Sequence, residues 1–230
     1  MDADGQRIER RIEQARAKIA AARPDSAPSP LLIAVAKRHG AGAVAAASRC
    51  GIKDFGENYL QEAQAKDAAL PALDCRWHML GPLQSNKAAA AARLFSWVHS
   101  IDRAKTARRL GQARLDAGLD PMPCCVQVNL GAEATKAGVP PAGLGELLAE
   151  LAAIDGVEAR GLMCLPEAGL DPDGQRRRFG ELAALRAEHR IAHPQLEELS
   201  MGMSADYEQA VRQGATMVRL GTVLFGPRPA

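Results

Sequence analysis

Aromatic side chains are scarce in this 230-residue chain, with two tryptophans, two tyrosines and four phenylalanines making up 3% of it. So thin a supply excludes the base-stacking surface that single-stranded nucleic acids need. Net charge is nearly absent as well, at +2, which excludes a strong electrostatic footprint for a polyanion. The most basic run, Arg176-Arg177-Arg178, begins a helical pattern rich in glutamate and reads as a solvated helix face. Cysteines number five, an odd count without the paired spacing of a zinc site or redox motif. Cys50, Cys75, Cys124, Cys125 and Cys164 are therefore expected to be reduced and mostly in the core. No apolar run is long enough to span a bilayer. The charged start, Met1-Asp2-Ala3-Asp4-Gly5-Gln6-Arg7, has no apolar stretch behind it, so secretion is not signalled and a cytoplasmic address is expected.

Hydrophobic residues at 47% and charged residues at 24% give the balance of a soluble globular protein. The length suits one α/β barrel, and no linker divides the chain, so residues 1–230 are expected to form a single domain. Ile8, Ile12, Ala15 and Ile19 recur at helical spacing and place a helix before the first strand, ending near Pro24. Then the apolar run Leu31-Leu32-Ile33-Ala34-Val35-Ala36, preceded by the breakers Pro28-Ser29-Pro30, reads as a buried strand that ends on Lys37.

From there short apolar runs alternate with longer amphipathic ones. Strands are expected at residues 53–56, 76–80, 95–99, 124–129, 157–163, 196–199 and 216–220, with helices between them. Asp102 is expected to cap the helix that stops at Gly118, and Ser204 the helix that runs to Gln213. Eight strand-then-helix units without a tandem repeat imply an α/β fold: a single (β/α)8 TIM barrel with an extra N-terminal helix.

The active face of such a barrel is the C-terminal rim of its strands. Lys37, Glu57, Asn58, His78, Gly81, Ser100, Asn129, Met163, Ser200, Gly202, Arg219, Gly221 and Thr222 stand at or near strand ends. Phosphate sites in these barrels form from the loops after strands seven and eight, here Ser200-Met201-Gly202-Met203-Ser204 and Gly221-Thr222. Lys37 either reaches to water or is held, partly desolvated, over a pocket. A pocket with a phosphate locus and a desolvated lysine suits pyridoxal phosphate, whose aldehyde condenses with an amine once burial lowers the amine's pKa. Arg219, always charged and donor-only, would pair with an unprotonated ring nitrogen, which makes the ring a poor electron sink. His78 and Trp77, taken singly, read as core residues.

Phe55-Gly56-Glu57-Asn58-Tyr59, Trp77-His78-Met79-Leu80-Gly81-Pro82-Leu83-Gln84-Ser85-Asn86-Lys87, Leu199-Ser200-Met201-Gly202-Met203-Ser204 and Met217-Val218-Arg219-Leu220-Gly221-Thr222 together resemble the pyridoxal phosphate homeostasis protein family. Its members are bare barrels similar to the N-terminal domain of alanine racemase. The resemblance spans about residues 30 to 228. It implies that Lys37 holds pyridoxal 5'-phosphate as a Schiff base, that Ser200, Gly221 and Thr222 hold the phosphate, and that Arg219 faces the pyridine nitrogen. Asn58, His78 and Met201 would line the pocket, with Lys136 a secondary contact. Ala36 and Arg38 depart from the serine and threonine that members more often carry on either side of the lysine.

The function implied is storage, buffering or delivery of the cofactor with little or no turnover. Apo-enzymes that use the cofactor are the implied partners, neither nucleic acid nor membrane is engaged, and a monomer is expected. The alternative is an amino-acid racemase, which needs a second acid/base opposite the lysine. Tyr59 and Tyr207 are the two tyrosines available for that role. A Schiff-base aldolase would place its lysine near strand six, where residues 157–163 have none.

Overall fold

The computed structural model describes residues 3–131 and 137–227. Its eight strands are all parallel and hydrogen-bond in chain order, with the last returning to the first. They are β1 (Leu31–Val35), β2 (Asp54–Glu57), β3 (Arg76–Met79), β4 (Phe95–Ile101), β5 (Met122–Gln127), β6 (Val157–Met163), β7 (Glu198–Ser200) and β8 (Met217–Leu220). The helices are α1 (Ala3–Ala22), α2 (Ala41–Arg49), α3 (Leu60–Ala69), α4 (Ala88–Leu94), α5 (Ala104–Asp116), α6 (Leu144–Ala152), α7 (Pro172–His189), α8 (Tyr207–Arg212) and α9 (Thr222–Phe225). The expected TIM barrel with its N-terminal helix is the architecture observed.

Strand residues are apolar on both faces because each strand is covered twice, by helices outside and by other strands across the lumen. Alternation sorts them. Ala34, Phe55, Trp77, Met79, Val98, Cys124, Val126, Leu162, Leu199, Met201, Val218 and Leu220 belong to the continuous hydrophobic layer beneath the helices. Their neighbours Ile33, Val35, His78, His99, Cys125, Met163, Ser200, Met217 and Arg219 are buried outside that layer, inside the barrel.

Helix α1 answers a gap. Strand β8 is followed by the four-residue α9, too short to cover the seam where β8 pairs with β1. Helix α1 packs against α2, α8 and α9 there, burying Ile8, Ile12, Ala15 and Ile19 on the face that their spacing marks.

Several local expectations are corrected. Helix α5 is capped by Arg103 without a side-chain bond, because Asp102 turns to pair with the Arg103 guanidinium at 3.3 Å. Strand β7 is Glu198–Ser200, two residues later than its apolar run suggests, since Leu196 is held by a turn bond to His193. Helix α8 starts at Tyr207 rather than after Ser204. The Ser204 hydroxyl instead accepts from the amides of Gly221 and Val223 at 3.3 and 3.2 Å, tying the loops after β7 and β8 together. None of the five cysteines is in a disulfide. Burial pushes the thiols of Cys124 and Cys164 up to about 12, so both stay protonated and inert at neutral pH.

Candidate functional site

A cavity of about 260 Å³ opens at the C-terminal rim, lined by Val35, Lys37, Asn58, Leu80, Met163, Leu165, Met203, Arg219 and Gly221. Every one lies at the end of β1, β2, β3, β6, β7 or β8 or in the loop directly after it. Apolar side chains form most of the wall, and a lysine, an amide and a guanidinium converge on it. That is the usual make-up of a small-molecule site. Gly81 makes room nearby, since a Cβ there would lie 2.3 Å from the Asn58 carbonyl oxygen. The Ser100 hydroxyl holds the Gly81 carbonyl at 2.6 Å, so β4 braces the turn against which Asn58 rests.

Behind Lys37 lies a buried ion pair. Lys66 Nζ donates to Glu57 Oε1 and, at 2.8 Å, to the carbonyl of Ala36, the residue immediately before Lys37. Glu57 is wholly buried and the Lys66 side chain 9% exposed. Desolvation raises the Glu57 pKa in spite of the Lys66 hydrogen bond and charge, which pull it the other way. The pair fixes the end of β1, and with it the point from which Lys37 departs.

Below Arg219 a chain of buried polar groups runs through the lumen. Arg219 Nη1 donates to Ser200 Oγ at 2.6 Å, and Nη2 donates to the Cys164 carbonyl at 2.9 Å. Ser200 Oγ lies 2.7 Å from His99 Nδ1, His99 Nε2 lies 2.9 Å from His78 Nδ1, and His78 Nε2 lies 3.0 Å from Asp54 Oδ1. Arg76 Nη2 donates to Asp54 Oδ2 at 2.6 Å from the opposite rim. The Trp97 ring stacks on His78 with centroids 6.5 Å apart.

Burial lowers the pKa of His78 against the pull of Asp54, and that of His99 well below the usual value, helped by repulsion from His78 and Arg219. Burial would raise Asp54, but the hydrogen bonds from His78 and Arg76 outweigh it and hold the carboxyl below its usual value. Burial also pulls Arg219 down from its ordinary value, though an arginine stays charged in a protein.

A stability profile follows. Both histidines bind a proton more readily unfolded than folded, so their neutral state contributes full stability above about pH 6.5. Below that, stability falls by up to about 1.4 kcal/mol per pH unit for each histidine as far as its folded pKa. Asp54, depressed, adds a further loss once the pH drops below about 4. Denaturant titrations from pH 7.5 to 4.5 should show a falling midpoint, and His99→Gln should flatten the slope. Since Glu57 and Asp206, raised by burial, tilt the profile the other way over the same range, a His99→Gln slope equal to that of wild type is the result that would exclude a neutral buried His99.

Of the eight residues that the resemblance assigns to the cofactor, Lys37, Asn58, Arg219 and Gly221 meet at the rim cavity, joined there by Met163 from the strand-end set. The other four do not line it. Met201 is fully buried in the layer under the helices because it has the same strand parity as Leu199. With Gly202 at φ +93° between them, Met203 takes the place at the cavity wall. Ser200 and His78 are buried in the lumen and connect to Arg219 through the hydrogen bonds Arg219–Ser200, Ser200–His99 and His99–His78. Thr222 is exposed at the start of α9. Lys136 lies outside the described residues. His99 carried no motif weight in the sequence, yet its spacing of two from Trp97 puts both on one face of β4. Leu165 offered no signal beyond standing next to a strand end, and Leu80 and Met203 lay within the motif runs without being singled out. Among the described residues no group of histidine, cysteine, aspartate and glutamate is arranged to hold a metal ion, and no helix is long and apolar enough to cross a membrane.

Residues 4–229 match the family described as "Alanine racemase, N-terminal domain". The chain is 46% identical over 197 residues to the pyridoxal phosphate homeostasis protein of Pseudomonas aeruginosa, covering 86% of this chain and 84% of that one. It is 39% identical over 227 residues to the protein of the same name from Escherichia coli K12, covering 96% and 97%. PipY of Synechococcus elongatus, solved with pyridoxal phosphate bound, superposes with a TM-score of 0.86 at 41% identity over 95% of this chain and all of that one. Alanine racemase of Clostridium difficile, at 13% identity and a TM-score of 0.75, shares the fold, and this chain covers 58% of its length. Identity at this level along nearly the whole barrel makes the chain a member of the alanine racemase N-terminal domain family and, within it, of the pyridoxal phosphate homeostasis proteins.

Proposed function

We propose that this protein binds pyridoxal 5'-phosphate at the rim cavity, with a Schiff base to Lys37, and serves intracellular homeostasis of that cofactor. The observation that carries the reading is the convergence of Lys37, Asn58, Arg219 and Gly221 on one small, mostly apolar cavity. Those residues fit the group: an amine for its aldehyde, a guanidinium for its ring nitrogen, and the Gly221–Thr222 turn beside Ser204 for its phosphate. When bound, the cofactor supplies an electrophilic aldehyde. The protein's own part is to present the Lys37 amine, orient the ring with Arg219 and keep the cavity wall dry with Leu80, Met163, Leu165 and Met203.

Binding without turnover is the better reading than racemisation. Among the described residues lining the cavity, Lys37 and Arg219 are the titratable ones, whereas racemisation needs a second acid/base across from the lysine. Tyr207 is 3% exposed and Tyr59 59% exposed, and neither lines the cavity. We place the protein in the cytoplasm as a monomer that exchanges the cofactor with apo-enzymes, residues 1–230 acting as one binding domain.

The purified protein should be yellow, with a visible absorbance band that borohydride abolishes, and peptide mass analysis should find the reduced adduct on Lys37. A colourless protein that takes up no pyridoxal phosphate, or an adduct on another lysine, sinks this reading. Sustained interconversion of single amino-acid enantiomers at enzyme-like rates would favour the racemase.

A further inference from the structure

The polar chain through the lumen has one consistent direction. At its lower end an ionised Asp54 can only accept, so His78 Nε2 must carry the proton that faces it. His78 Nδ1 is then an acceptor and takes the proton of His99 Nε2. His99 Nδ1 in turn accepts from the Ser200 hydroxyl. At the upper end Arg219 can only donate, so Ser200 Oγ accepts from it and keeps its own proton available for His99, which is compatible with the direction set by Asp54. The Asp54 end therefore sets neutral Nε2–H imidazoles, and burial favours the neutral form of both rings.

We propose that Asp54, His78, His99 and Ser200 form a one-way hydrogen-bonded relay that holds the Arg219 guanidinium in the floor of the rim cavity. All four are positioning residues that act on a bound ligand only through Arg219. The identity of that ligand rests on the function proposed above; the relay itself does not. Two donors of Arg219 are taken, by Ser200 and by the Cys164 carbonyl, which fixes the plane of the guanidinium while the residue still lines the cavity. Asp54 lies at the far end of the lumen and lines a different cavity, with Arg76 and Lys53. A change there has no direct path to a ligand at the C-terminal rim.

Asp54→Asn is the discriminating substitution. Asn has one oxygen where Asp54 has two acceptors, and Arg76 and His78 both need one. When that oxygen turns to Arg76, the amide nitrogen donates to His78 Nε2, and the whole relay reverses to Nδ1–H imidazoles. The first measurement uses the 15N-labelled full chain without ligand and reads the ring nitrogens of His78 and His99 by NMR at pH 7. Both should be neutral Nε2–H in the wild type, with an Nδ1–H population appearing in Asp54→Asn. The second uses the chain loaded with pyridoxal phosphate. Its visible absorbance maximum should shift in Asp54→Asn and its affinity fall roughly tenfold, the scale of one charge-assisted hydrogen bond.

An Nδ1–H or charged ring in the wild type overturns the relay. So does an Asp54→Asn protein whose tautomers, absorbance maximum and affinity match the wild type. Should Asp54→Asn fail to fold, Ser200→Ala takes its place, cutting the relay next to Arg219. It should then produce the same absorbance shift and free the His99 tautomer, and no change in either counts against the proposal. A chain that takes up no pyridoxal phosphate refutes the proposed ligand, while the ligand-free spectra still judge the relay.

Discussion

Lys37→Ala is expected to leave a folded but colourless protein in which borohydride produces no covalent adduct. Among the described residues lining the cavity, the Lys37 amine is the one group that can bond to an aldehyde, because Asn58 is an amide and a guanidinium remains protonated. The substitution spares the barrel: Lys37 lies just beyond β1, whose ladder to β2 and β8 is made by residues 31–35. Absorbance spectra before and after reduction, with circular dichroism as the check on folding, measure both halves of this expectation. A persistent adduct in Lys37→Ala would move the aldehyde-binding role to another lysine. Lys37→Arg should behave like the alanine variant, since it keeps the charge and loses the nucleophile.

Lys66→Ala should carry the largest stability cost. It strands Glu57, wholly buried, without its partner, and removing one member of a buried ion pair costs about 3–5 kcal/mol. Desolvation already raises the Glu57 pKa, so without Lys66 the carboxyl should fold protonated. Stability would then decline as the pH rises from the unfolded value toward the raised folded one. The same change removes the Lys66 bond to the Ala36 carbonyl, leaving the one from the His39 amide, and should loosen the base of Lys37, weakening the uptake of pyridoxal phosphate. Replacing both members, Glu57→Leu with Lys66→Met, should restore most of the lost stability but not the grip on Ala36. Urea denaturation midpoints of the two single variants and the double variant decide it. A Lys66→Ala protein within about 1 kcal/mol of wild type would mean that water solvates Glu57 in its place.

The site was unevenly legible in the sequence. Lys37 was readable because an unbroken apolar run terminating in a cation is a local pattern. Arg219 and Gly221 were readable from their place at the end of the eighth run, where barrel geometry puts ligands. Met201 was misplaced for lack of one inference: Leu199, Ser200 and Met201 alternate along a strand, so Met201 faces the helices whenever Leu199 does. Ser200 was expected at the phosphate and His78 at the pocket wall, and their depth in the lumen was not visible. It is set by barrel closure and stagger, which bring Ser200 against His99, 101 residues away in the chain, and His78 against Asp54.

By itself the sequence determined the barrel and its rim. Periodicity of two and of 3.6 is imposed residue by residue through burial, so strand and helix order, the helix ahead of β1 and the strand-end position of Lys37 are all written locally. Only the tertiary structure decided which side chains share a cavity and which share the lumen. That choice depends on how eight strands close and stagger, a property no single segment carries. The Lys66 to Ala36 bond and the Asp54-to-Arg219 relay are its products: both join groups far apart in the chain whose pairing is enforced by the high cost of leaving a buried polar group alone.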